Sequence, residues 1–169
     1  MTIRHERPGD GAQVRAVNEL AFGQRLEADL VEKLRQACPD ALSLVAEDDA
    51  VVGHILFTPV MIERAERRVV GMGLGPMAVH PDRQRQGIGS QLVTRGLDLL
   101  RQGPCPFVVV VGHPDYYPRF GFEPASRHGL VSQWEGIPDA AFMVLVLDAP
   151  AMAGVSGVAR YRDEFNEVA

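Results

Sequence analysis

The chain has 169 residues, 46% of them hydrophobic, and a formal net charge of −5. That is enough apolar material for one substantial core, and the wrong sign for a general nucleic-acid or membrane-surface binder, which carries a basic excess. Cys38 and Cys105 form no C-x-x-C pair, no run approaches the ~18 apolar residues that span a bilayer, and Met1 to Arg7 is too charged for a signal peptide; together these read as a soluble protein of a reducing, cytoplasmic compartment.

Thr2 to Arg7 has the pattern of a short edge strand, and Pro8-Gly9-Asp10 turns the chain into a helix over about Ala12 to Phe22, with Val14, Val17 and Ala21 on its apolar face. Leu26, Leu30, Leu34 and Ala37 predict a second helix, ended by Cys38-Pro39-Asp40. Ala41 to Glu47 and Val51 to Ile62 read as a hairpin joined at Asp48-Asp49, and a third strand, Arg68 to Val79, follows a charged turn at Arg64 to Arg67. Pro76 has no N–H for a ladder, so that strand is expected to bulge or splay there.

The next stretch, Met77 to Ser90, is an apolar strand end, a loop opened by Pro81 and carrying Gly87 and Gly89, and a helix start. The helix runs to about Gln102 on Ile88, Leu92, Val93, Gly96, Leu99 and Leu100, and Phe107 to Val111 is a strand buried on both faces. Strand, helix and strand in that order imply a right-handed parallel crossover. A helix N-terminus offers unpaired amides and the positive end of its dipole, so glycines there invite a phosphate. Arg83 and Arg85, with Arg95 and Arg101 further along, concentrate positive charge at the same place; the alternative is solvated surface arginines.

Beyond this, Gly121 is placed to end a short turn after Tyr117, Ala141 to Leu147 is another strand, and residues 149–169 read as an appendage packed on a single domain of residues 1–148. His80 is placed to start the Pro81 turn and His113 to orient the loop before Tyr117. No G-x-S-x-G elbow occurs, no third glycine stands at Leu92 as a dinucleotide fingerprint requires, and no H-E-x-x-H or similar set marks a metal site.

Gln84-Arg-Gln-Gly87-Ile-Gly89 resembles the Q/R-x-x-G-x-G/A motif of the GNAT N-acetyltransferase superfamily, in the strand-loop-helix setting that motif occupies. Tyr117-Pro-Arg-Phe-Gly121-Phe122 resembles the family's Y-x-x-x-G-F element. The runs from Leu74 to Pro81 and from Gly112 to Phe122 look like the YhbS-like branch. The resemblance covers roughly Thr2 to Leu147. It implies an α+β (mixed α/β) GNAT fold: a central, mixed, mostly antiparallel sheet of about seven strands, splayed between Met77–Val79 and Phe107–Val111 and flanked by helices.

The same resemblance implies acetyl-CoA as cosubstrate, with no metal. Its pyrophosphate would lie on backbone amides across Arg85 to Ser90, and its pantetheine would pair with the strand edge at Met77 to Val79. The implied binding set is therefore Met77, Ala78, Val79, Gln84, Arg85, Gln86, Gly87, Ile88, Gly89 and Ser90, with a backbone N–H near Val79 for the thioester oxygen. Tyr117 occupies the position of the family tyrosine near the sulfur and is the candidate general acid; otherwise it is an aromatic packing residue. Glu27 and His54 are the candidate bases. Their other readings are a carboxylate complementing a helix dipole and a hydrogen-bonded strand histidine. The acceptor would be an amine of a small molecule or peptide, and dimerisation through the C-terminal stretch is compatible with the family. A noncatalytic acyl-CoA-binding or sensory domain is the alternative.

Overall fold

The computed structural model describes residues 1–63 and 67–168, which gather into two compact units. One comprises Met1–Thr58, Gly75–Leu99 and the chain from Asp163 onward; the other comprises Pro59–Leu74 and Leu100–Arg162. Residues 64–66 of the expected charged turn lie outside the described residues.

In the first unit, β1 (Thr2–His5) pairs antiparallel with β2 (Leu42–Asp48), and β2 pairs with the opening stretch of β3 (Ala50–Glu63). Asp49 makes the tight turn with φ of 63°, a conformation that Asp adopts more readily than most residues because its short side chain can bond locally. Helices α1 (Gly11–Phe22) and α2 (Leu26–Ala37) bury one stripe each, Val14 and Val17 on α1 and Ala28, Leu30, Val31 and Leu34 on α2. Gly23, left-handed at φ 69°, ends α1. Arg15 joins the two helices through Asp29 at 2.8 Å and Glu32 at 3.0 Å. The last turn, Asp163–Glu167, buries Phe165, and Glu167 pairs with Lys33 of α2.

Helix α3 (Ile88–Arg101) belongs to this unit through Leu99 and seats on β3 at two glycines. A Cβ on Gly53 would come within 3.1 Å of both Ile88 and Leu92, and one on Gly96 would overlap the fully buried ring of Phe57. The two absent side chains let the helix approach the strand closely.

In the second unit, the first part of β4 (Arg68–Val79) pairs parallel with β5 (Phe107–Val111), from Met72↔Val108 to Leu74↔Val110. β5 is antiparallel to β8 (Phe142–Val146), which also pairs with β6 (Glu123–Pro124). β9 (Gly157–Arg160) runs antiparallel to Met61 and Ile62 of β3 and parallel to β7 (Leu130–Ser132). Val108, Val109 and Val110 are buried, as a β-branched strand between two neighbours should be.

Among the described residues the hydrogen-bonded order is β1-β2-β3-β4-β5-β8-β6, with β9 beside β3 and β7 beside β9 off that path. The path has the expected seven strands, and the two additional strands have three and four residues. Residues 149–168 include the short helix α4 (Ala149–Met152), β9 and the turn at Asp163–Glu167. The β4–β5 ladder ends at Leu74↔Val110, ahead of a cis Gly75–Pro76 bond, so Met77–Val79 have no β5 register partners. This is the splay that Pro76 predicts.

Candidate functional site

The loop from the end of β4 to α3 is held in shape from both sides. His80 N–H donates to the Val52 carbonyl at 2.8 Å, and its ring Nδ1 accepts from Asp82 N–H at 3.1 Å, which starts the turn at Pro81–Arg83. Gln84 Nε2 donates back to the Val79 carbonyl at 3.1 Å. Arg83 reaches the hairpin tip, bonding Asp48 Oδ2 at 2.7 Å and Gln86 Oε1 at 3.3 Å. The Arg83 guanidinium holds the Asp48 carboxyl below its ordinary range. Arg83 is thus occupied in bracing the loop.

The backbone inside this frame changes hand at alternate residues. Arg85 has φ of 62° and Gly87 φ of 83°, and Gln86 between them is not left-handed. Alternation of this kind turns successive amides toward one concavity, the arrangement that binds anions. A Cβ on Gly87 would meet no atom within 4 Å, so the space above the loop is open. The helical ladder of α3 begins with Gln91 N–H to the Gly87 carbonyl at 3.1 Å, leaving the Ile88 and Gly89 amides ahead of it. A pyrophosphate would accept from the Ile88 and Gly89 amides here, and a β-branched side chain at Gly87 would stand in the open space it needs.

The candidate acid lies in the second unit. Tyr117 opens a 3-10 turn, Tyr117–Phe120, closed by Gly121 at φ 98°, the stop its position predicts. The His113 carbonyl accepts from the Tyr116 and Tyr117 amides at 3.1 and 3.4 Å. The Tyr117 ring is buried edge-on against Tyr116 and Phe122, with centroids 5.1 and 5.8 Å away, and its edge occupies the space a Cβ on Gly112 would need. Burial, with a smaller contribution from Tyr116, pushes its phenol above the ordinary tyrosine value. The phenol therefore stays protonated throughout the neutral range.

The two candidate bases stand in different surroundings. Glu27, in the first turn of α2, accepts from Gln24 Nε2 on both oxygens, at 2.8 and 2.9 Å. His54 is fully buried on β3. Its Nδ1 lies 3.2 Å from Asn18 Nδ2, a group that also donates to the Val14 carbonyl at 3.0 Å and so can only donate to the ring. Nδ1 is then the acceptor, and Nε2–H donates to Ser43 Oγ at 2.9 Å, whose hydroxyl passes to Glu6 Oε1 at 2.6 Å. Arg35 completes the chain on Glu6 Oε2 at 2.6 Å.

Desolvation, aided by Arg35, pushes the His54 pKa down to about 3. With both ring nitrogens engaged and protonation disfavoured, His54 is a core histidine, and its reading as a base is withdrawn. The same tautomer excludes a serine-nucleophile role for Ser43, since the ring donates to that hydroxyl instead of accepting from it. Asn18, Ser43 and Glu6 carry no sequence signal for this network, because their spacing from His54 follows no local motif.

Among the described residues no group of three or more His, Cys, Asp or Glu side chains is arranged to hold a metal ion, and no helix is long and apolar enough to cross a membrane. The family model of the acetyltransferase (GNAT) domain matches residues 2–125. The uncharacterized N-acetyltransferase YhbS of Escherichia coli K12 is 39% identical over 168 residues, 98% of this chain and 99% of that protein. The crystal structure of E. coli YhbS in complex with CoA superposes with a TM-score of 0.90 at 38% identity, covering 98% of this chain and 91% of that one. A GNAT family acetyltransferase from Brucella melitensis in complex with acetyl-CoA gives 0.78 at 37% identity, covering 97% of both chains. Motif, splayed strand and near-full-length similarity agree, and the chain belongs to the GNAT acetyltransferase family.

Proposed function

We propose that this enzyme transfers an acetyl group from acetyl-CoA directly to a primary amine of a small molecule or peptide. The observation that carries the donor half is the open loop ahead of α3, with its alternating backbone hand at Arg85 and Gly87. The similar proteins crystallised with CoA and acetyl-CoA support the same donor. Acetyl-CoA supplies the activated thioester: the amine nitrogen bonds to the acetyl carbon, the carbon–sulfur bond breaks, and the thiolate leaves as CoA.

In this reading the amides from Arg85 to Ser90 bind the pyrophosphate. Met77, Ala78 and Val79 offer the pantetheine a strand edge, and Gln84 and Gln86 brace the loop. A backbone N–H near Val79 orients the thioester oxygen and favours the charge that develops there. Tyr117 is the candidate acid at the departing sulfur: it holds a proton at its hydroxyl and donates it in a hydrogen bond that stabilises the thiolate, and its raised pKa keeps it a donor while making full proton transfer unfavourable, so the thiolate takes its proton from water. Glu27, tethered by Gln24, is the remaining candidate to take a proton from the amine, directly or through water.

Acetyl-CoA titration and a thiol-release screen over polyamines, amino acids, aminoglycosides and peptides test this. Gly87→Val should abolish binding with the fold intact, and Tyr117→Phe should keep binding and lose turnover. Unchanged turnover in Tyr117→Phe removes the acid assignment. Binding without release across the whole panel supports the acyl-CoA-binding, noncatalytic alternative.

A further inference from the structure

We propose that Tyr161 is a positioning residue for Tyr117, its phenol O–H turning the Tyr117 hydroxyl toward the sulfur of coenzyme A. The inference rests on the reading of Tyr117 as the hydrogen-bond donor to that sulfur. Both tyrosines belong to the second unit.

Two glycines on neighbouring strands make room for the two rings. A Cβ on Gly73 of β4 would come within 2.7 Å of the Tyr161 ring, and one on Gly112, the residue after β5, would come within 2.3 Å of the Tyr117 ring. Gly73 pairs with Val109, and Gly112 lies three residues beyond Val109, about 10 Å along the chain. A glycine inside a strand marks a place where another group approaches the backbone closely. Here each clears the seat of one tyrosine, on either side of Leu74↔Val110, where the β4–β5 ladder ends.

Tyr161 is fixed in its seat. Its N–H donates to Gln133 Oε1 at 2.6 Å, its ring centroid lies 4.8 Å from that of Trp134, and the Trp134 N–H donates to Ser132 Oγ at 3.1 Å. Packing alone asks only for a ring: phenylalanine would fill the same space against Gly73 and Trp134 without carrying a hydroxyl out of water. Burial raises the Tyr161 phenol above its ordinary value and Tyr117 raises it further, so the two hydroxyls lie within electrostatic reach and both stay protonated through the neutral range.

A phenol has one hydrogen to donate, and oxygen lone pairs that accept. Tyr117 stabilises a thiolate only when that hydrogen points at the sulfur. A neighbouring O–H that donates to the Tyr117 oxygen occupies its lone pairs, leaves the hydrogen for the sulfur and polarises the bond it makes. Hydrogen bonds of this kind often tighten only with substrate in place.

The thiol of bound CoA reports this without any acceptor. Its ultraviolet thiolate absorbance, followed from about pH 6 to 9 on the full-length protein saturated with CoA, gives the acid dissociation constant of the bound thiol, whose ordinary pKa is about 8.5. In wild type that constant should exceed the free value about tenfold, the size of one hydrogen bond to a charged group, and Tyr117→Phe should remove the gain. Tyr161→Phe should lower the constant about threefold, the share of a polarising neighbour, and should lower it no further in the Tyr117→Phe background. CoA affinity near pH 6, where the thiol is protonated in every variant, should match wild type. An unchanged constant in Tyr161→Phe, an equal loss in the Tyr117→Phe background, or weakened CoA binding near pH 6 in Tyr161→Phe overturns the positioning role and leaves Tyr117 in place. A wild-type constant equal to the free value, or unchanged in Tyr117→Phe, overturns the reading of Tyr117, and this proposal with it.

Discussion

His54 makes a quantitative demand on how stability varies with pH. Its folded-state pKa is depressed to about 3 by burial, whereas an unfolded chain would titrate it near 6.5. Above pH 6.5 the ring is neutral in both states and contributes nothing to the pH dependence. Between 6.5 and about 3 only the unfolded chain takes up the proton, so stability falls by about 1.4 kcal/mol per pH unit well below 6.5, and the loss ends once pH passes below the folded pKa. At pH 5 the deficit is about 2 kcal/mol, and because the chain has five histidines, the share of this one is read as the difference from a variant that lacks it. Denaturant unfolding in a buffer series from pH 8 to 5 measures it, with His54→Gln as the variant that cannot be protonated. The variant is expected to be less stable throughout, because Asn18 and Ser43 lose a matched partner, but between pH 6.5 and 5 its stability should fall by about 2 kcal/mol less than that of wild type. Parallel slopes for the two proteins would show that His54 is protonated when folded, and would return it to the list of candidate bases.

Gly96→Ala tests the seat of α3 on β3. Helix propensity favours Ala by about 1 kcal/mol, but the new methyl would overlap the buried Phe57 ring, an overpacking cost of about 1–3 kcal/mol. Net destabilisation is expected in thermal unfolding, with a large part recovered when Phe57 is also shortened to Leu; simple additivity of the two substitutions would refute the contact. The pH profile of turnover tests Tyr117: because burial raises its pKa above the ordinary value near 10, activity should show no basic limb from this phenol below about pH 9. A limb near pH 8 that disappears in Tyr117→Phe would refute that environment.

The parts of this protein that were legible in its sequence are those whose physics is local. The strand-loop-helix around Gly87 could be read because a turn needing φ above zero, the end of an apolar run and the start of a helical stripe all fall within fourteen residues, Met77 to Ser90. Phe107–Val111 could be read because five apolar residues in succession have few other fates. The short strands β6, β7 and β9 could not: two to four residues carry no periodicity, and their pairing is set by partners far along the chain, such as Met61 for Arg160.

The same distinction governs the site. A histidine on a strand has one sequence appearance whether it takes a proton from substrate or sits sealed in the core, and what decides between them at His54 is Asn18, 36 residues away, and Ser43 across a hairpin. Arg83 and Arg85 are likewise equivalent as letters, and only the position of Asp48 at the hairpin tip separates a brace from an unpaired cation. Sequence therefore points to the candidate anion site through backbone conformation, which is encoded nearby, and leaves the assignment of side-chain roles to the ion pairs and desolvation that only the folded chain creates. The donor half of the reaction rests on the first kind of information. The identity of the base and of the acceptor rests on the second, which is why Glu27→Gln, assayed for turnover against acetyl-CoA affinity, is the substitution whose outcome the motif alone does not determine: lost turnover with retained affinity would place Glu27 in the chemistry, and unchanged turnover would leave it as Gln24's partner at the start of α2.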